Sequence, residues 1–119
     1  MYKRQDHPPT LPSRNNLALT YQDAGRTAEA ITLHEQTLVA YERVLGPDHP
    51  HTLNSRNNLA IAYRDAGRTG EAITLHEQVL AARERVLGPD HPHTLNSRNN
   101  LANARQSAGS ANKAVDQDP

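Results

Sequence analysis

Seven histidines, thirteen carboxylates and thirteen Lys or Arg side chains are spread over 119 residues that contain no cysteine. The histidines are the first candidates for chemistry. His49 and His51 stand two residues apart, as do His91 and His93, and His34 recurs as His76. Zinc needs three or four ligands converging at about 2 Å, and its usual helical signature sets two histidines four residues apart with a carboxylate beside them. Copies one period apart fall in parallel rows instead, so capping and packing histidines are expected and no metal site. Without a thiol there is no disulfide, thiolate nucleophile or cysteine-based metal centre. No glycine-rich phosphate loop or nucleophile elbow is present, and the carboxylates are scattered. The expectation is a chain that is not an enzyme and uses no cofactor.

The stretch that must position these side chains is ERVLGPDHPHTLNSRNNLA, found at 42–60 and repeated letter for letter at 84–102. A shorter echo runs from Asp6 to Ala18, one period upstream. Comparison of 7–48 with 49–90 leaves nine differences in forty-two positions. Self-similarity at this period marks a solenoid, in which each unit buries its apolar face only against its neighbours. The division expected is a first unit at 7–48, a second at 49–90 and a partial third at 91–119, within one domain.

Charge balance gives no pull towards nucleic acid or an anionic membrane. No apolar run approaches the ~20 residues of a membrane span, and the start MYKRQDHPP has no signal-peptide core, so a soluble, cytoplasmic protein is expected. With four Tyr and no Phe or Trp, the core falls to Leu, Ile, Val and Ala, and β-branched runs are missing. That composition suits an all-α fold.

Each unit carries two helical patterns. In the second copy Pro50 suits a first helical turn, with Asp48 and His49 ahead of it as polar caps. Leu53, Leu59, Ala60, Tyr63 and Ala66 recur at helical spacing, and Gly67 is a natural stop, giving helix A at about 50–66. Thr69 is placed to cap helix B, which carries Ala72, Ile73, Leu75, Val79, Leu80, Val86 and Leu87 and ends at Gly88-Pro89, about 69–87. The third unit starts faithfully at His91 and then decays: Ile61 becomes Asn103, Tyr63 becomes Arg105 and Leu75 becomes Gln117. Residues 110–119 read equally as a polar terminal cap or as a frayed end.

Leu59-Ala60, Tyr63, Gly67 and Ala72 sit at the spacings of the tetratricopeptide repeat, which residues 7 to about 114 resemble. The period, the NNLA core and the LGPDHP linker look like the long variant found in kinesin light chains, and still more like bacterial arrays attached to nucleotide-switch signalling and regulatory proteins. There are departures. Arg14, Arg56 and Arg98 replace the bulky apolar residue that opens the motif, His34 and His76 replace the large aromatic of helix B, and Arg105 stands where the tyrosine belongs. The resemblance implies an α-solenoid of about two and a half antiparallel helix pairs, with helices A lining a concave face.

On that face the second unit would present Asn54, Asn57, Asn58, Ile61 and Arg64, the first Asn15, Asn16 and Leu19, and the third Asn96, Asn99, Asn100 and Asn103. A side-chain amide offers a donor and an acceptor together, so it can pair with an extended backbone of any sequence. The resemblance therefore implies another protein or peptide as partner, its main chain clamped by groove asparagines. Arg14, Arg56 and Arg98 are expected to pack their stems on apolar neighbours and bond a carboxylate such as Asp23, Glu29, Asp65 or Glu71, ahead of serving as a row of cations for an acidic ligand. The rival reading is structural: near-identical units with uncovered ends favour self-assembly as a stacked or helix-exchanged homo-oligomer.

Overall fold

The computed structural model describes residues 10–116, with side chains from Thr10 to Gly109. Five helices follow one another, α1 (Leu11–Asp23), α2 (Thr27–Leu45), α3 (Pro50–Asp65), α4 (Thr69–Leu87) and α5 (Pro92–Asp116), and no strand occurs among the described residues. Each packs on its neighbours in sequence, α1 on α2, α2 on α3, α3 on α4 and α4 on α5. This is an α-solenoid of about two and a half helix pairs.

Local chemistry sets the boundaries. Pro50 opens α3, and the His49 Nδ1 accepts the His51 N–H at 3.1 Å; His91 does the same for His93 at 3.0 Å. Thr10 caps α1 with its hydroxyl. Thr69 does not cap α4: it is the first helical residue, Arg68 holds the cap position, and no side chain bonds the free N–H groups there. Arg68 is instead turned onto Glu71 and onto the Tyr63 ring, its guanidinium carbon 4.3 Å from the ring centroid.

That contact belongs to the turn between helices A and B. Gly67 has φ +80°, the Gly67 N–H bonds Arg64 O at 3.0 Å, and the Arg68 N–H bonds Tyr63 O at 2.8 Å. Glycine takes this left-handed conformation without a Cβ clash, and the crossed bonds satisfy carbonyls that the helix end leaves open. Gly25, Tyr21 and Arg26 repeat the arrangement, with the Arg26 guanidinium 4.7 Å from the Tyr21 ring. The third unit keeps Gly109 but has Arg105 and Ser110 in place of the tyrosine and arginine. The turn is not made, and α5 runs on through Gly109 to Asp116 as one helix of 25 residues. Backbone helix therefore covers most of the 110–119 stretch read as cap or frayed end, and 117–119 lie outside the described residues.

The core runs between units and between the paired helices of a unit. Ile31 and Leu38 of α2 meet Leu59, Ala62 and Tyr63 of α3 and Ala72 of α4, with Leu75 packed against them. Leu53 packs with Val79 and Ala82 between α3 and α4. Burying a Leu, Ile or Val side chain is worth about 1.5–3 kcal/mol, and these contacts join helices one after another. Leu17, the counterpart of Leu59, has no preceding helix over it among the described residues and is 42% exposed, against 4% for Leu59.

Candidate functional site

Helices α1, α3 and α5 stand in a row, tied by their asparagines. The Asn58 Nδ2 donates to Asn15 Oδ1 at 3.1 Å, and one period on the Asn100 Nδ2 donates to Asn57 Oδ1 at 3.2 Å. The polarity is the same at both junctions. That leaves the side-chain N–H groups of Asn15 and Asn57, and the side-chain carbonyl oxygens of Asn58 and Asn100, outside this bond. Asn16 and Asn99, exposed at the two ends, make no side-chain bond among the described residues. Leu19 is exposed and Ile61 half-buried beside them; Asn96 and Asn103 are exposed.

Arg64 is exposed and 3.6 Å from the neighbouring Asp65 carboxylate. It shares an open hollow with Asn103, Gln106 and Ser107 of α5. Asp65 also accepts from Gln22 Nε2 at 2.8 Å, and the Gln22 carbonyl lies 3.3 Å from His34 Nε2. His34 and His76 are buried on helix B, and among the described residues their Nδ1 atoms have no partner. Burial pushes both imidazoles down towards the neutral form, and the Arg64 charge adds to the effect on His76. They are packing residues, and among the described residues no three His, Asp or Glu side chains come together as metal ligands.

Two of the repeated arginines, Arg56 and Arg98, find carboxylates other than those expected. Arg56 bonds Glu42 at 2.7 Å and Arg98 bonds Glu84 at 3.0 Å, each on the helix B before its own helix A. The carboxylates named from the sequence are engaged elsewhere, Glu29 and Glu71 by the turn residues Arg26 and Arg68. Tyr63 hydroxyl donates to Glu35 at 2.6 Å, and its burial, then that carboxylate, pushes the phenol up to about 12. In the third unit Arg105 takes over the same link, bonding Glu77 at 3.0 Å.

One expected groove residue is spent structurally: Asn54 Oδ1 accepts from Arg83 Nη2 at 2.8 Å. Arg83 is buried, and its Nη1 bonds Ser97 Oγ at 2.8 Å and His93 O at 3.2 Å, so one guanidinium ties α3, α4 and α5 together. Reading by helical period did not single it out. The signal was there, since Arg83 is one of the nine positions at which the copies differ, standing where the first unit has Tyr41.

A row of antiparallel helix pairs, offering a polar face on helices A and no converging reactive groups among the described residues, defines a scaffold of the contact-making kind. The tetratricopeptide-repeat family profile matches residues 9–85 and 57–117. The chain belongs to that family, whose fold is generally a protein-binding, non-catalytic module. Two solved structures are similar. One is a Podosopora anserina protein described as a kinesin light chain with nearly identical TPR-like repeats, 39% identical, with a TM-score of 0.77 over 93% of this chain and 53% of that one. The other is a single-substitution variant of it, 38% identical with a TM-score of 0.77, over 89% of this chain and 50% of that one. The chain thus spans about half the length of these structures. No curated protein matches it. No helix among the described residues is long and apolar enough to cross a membrane.

Proposed function

We propose that the face formed by α1, α3 and α5 grips an extended segment of another protein through its asparagine amides, with Leu19, Ile61 and Arg64 adding side-chain preference. The observation that carries this is the repeated Asn-to-Asn bond. By fixing each amide with the same polarity at both junctions, it sets the remaining donors and acceptors in a row one helix spacing apart. Preorganised groups of this kind meet a main chain with little further loss of side-chain freedom. The division into units at 7–48, 49–90 and 91–119, and a cytoplasmic setting, are part of the same reading. Asn16→Ala, Asn58→Ala and Asn100→Ala together, titrated with a dodecamer selected on the wild-type chain from a displayed library, should weaken binding by about tenfold or more. Asn16→Ala with Asn99→Ala supplies the control, because neither side chain holds the fold together. Unchanged affinity in both variants ends the proposal.

A second reading, self-assembly, is favoured by Leu17, exposed at 42% where its counterpart one period on is buried. Sedimentation over a hundredfold range of concentration tests it. A mass that stays at one chain throughout disposes of it.

A further inference from the structure

The two junctions between helices A share their Asn-to-Asn bond and differ at a buried place beside it. At the second, the Arg83 guanidinium fills the space between α3, α4 and α5, where Ser97 Oγ, His93 O and Asn54 Oδ1 accept its N–H groups. Moved back one period, those positions are Tyr41, Ser55, His51 and Pro12. There the structure has a cavity of about 190 Å³, lined by Tyr41, Ser55, His51, Pro12 and the groove residues Asn15, Asn16 and Asn54. Ser55 is 1% exposed, and its hydroxyl has no hydrogen-bond partner among the described residues, although its counterpart Ser97 accepts from Arg83. A buried polar atom left without a partner costs free energy that a fitting donor recovers. The cavity has room for roughly six waters at liquid density, more than a planar guanidinium needs.

We infer that this cavity is a pocket for the guanidinium of an arginine side chain on the bound partner. The inference rests on the groove reading for the path of the partner's main chain. Arg83 shows the pose within the same molecule: a guanidinium held by a serine hydroxyl, a helix carbonyl and an asparagine carbonyl, all neutral acceptors. In the first junction Ser55 Oγ and His51 O accept two of the N–H groups. The Asn16 side-chain carbonyl oxygen replaces the acceptor that Pro12 lacks. Tyr41 sits in the wall, where an aromatic ring suits a flat cation. Lysine fits poorly, since its compact ammonium cannot reach acceptors spread in a plane. The pocket gives the groove a side-chain preference that a ladder of amides alone lacks.

Three probes test this on the full chain. They are an acetylated, amidated Ser-Gly-Arg-Gly-Ser peptide, the same peptide with citrulline, which is neutral and of the same shape, and N-acetyl-arginine methylamide, which has no chain to lie in the groove. Titrations followed by NMR should show the arginine peptide binding about tenfold more tightly than the citrulline peptide. The methylamide should shift the Ser55 and Tyr41 signals. Tyr41→Arg should fill the pocket from within, as Arg83 does, and abolish the arginine preference; Ser55→Ala should reduce it with the fold intact. Equal binding of the arginine and citrulline peptides overturns the pocket and leaves the groove standing. Response to the methylamide without binding of either peptide fails the groove and keeps the pocket. Retention of the full arginine preference in Ser55→Ala, or in a folded Tyr41→Arg, overturns the inference.

Discussion

The same leucine occurs in the same local sequence, SRNNLA, at Leu17 and Leu59, so the pair isolates what stacking contributes. Leu59 is 4% exposed and lies among Ile31, Leu38, Ala62 and Tyr63. Leu59→Ala removes three buried carbons and leaves a hole between two units that helices on both sides restrain from closing. Core Leu→Ala changes cost about 2–5 kcal/mol, and about 3 kcal/mol is expected here. Leu17 has only a little over half its surface covered, at 42% exposure, and water fills whatever space its truncation leaves. The transfer part alone, scaled to that coverage, comes to about 1 kcal/mol. The two variants, unfolded in urea with helicity followed by circular dichroism, should therefore differ by about 2 kcal/mol at equal m-values. Equal losses would refute the reasoning: the two leucines would then not occupy successive seats in one stack, or Leu17 would be covered by another molecule. Repetition at tenfold higher protein concentration separates those causes, because only the second depends on concentration.

Two further outcomes follow from the turns and the buried imidazoles. Gly67→Ala should cost about 1 kcal/mol, since φ is +80° there, whereas Gly109→Ala, inside the continuous α5, should stabilise by up to ~1 kcal/mol; thermal melts compare the two directly. His34 and His76 hold their protons less tightly folded than unfolded, so the unfolded chain takes up the extra protons below the ordinary imidazole value of 6.5. Stability should be level above that pH and fall as pH drops through the window beneath it. His76→Gln should remove part of the slope in urea midpoints measured from pH 7.5 to 5.

Much of the architecture was legible because the copies vote together. Pro50, Gly67 and Gly88 bracket two helices whose bounds fall within a residue of those read from the pattern; Leu53, Leu59, Tyr63, Ala72 and Val79 are buried as their spacing requires, whereas Val86, read in the same stripe, is 51% exposed. What escaped was long-range pairing. Nothing local distinguishes Glu42 from Asp65 as the partner of Arg56; the choice is made by which helix B lies against which helix A. Thr69 looked like a cap because threonine suits that position, but the crossed turn before it had already put Arg68 there. Gly109 lies inside a helix although its counterparts Gly25 and Gly67 sit in turns. A glycine permits a turn without compelling one, and the tyrosine and arginine that close the other turns are absent. The asparagine row could be placed on one face from the sequence, but the mutual bonding that orders it could not.

The link that Tyr63 makes to Glu35 has a consequence for how cohesion is distributed along the rod. That bond is part-buried, and the Arg56 side chain is 10% exposed against 38% for its partner Glu42, so the ties between α2 and α3 are only partly open to dissolved ions. At the next seam the buried Arg83 guanidinium is joined by two exposed guanidinium–carboxylate pairs, Arg98 with Glu84 and Arg105 with Glu77. Exposed pairs of this kind contribute about 0–1 kcal/mol each and weaken as salt rises. The molecule is thus graded: electrolyte bears least on the ties between α2 and α3, while at α5 it can loosen the two outer pairs and leave Arg83 and the Asn57–Asn100 bond to hold the helix.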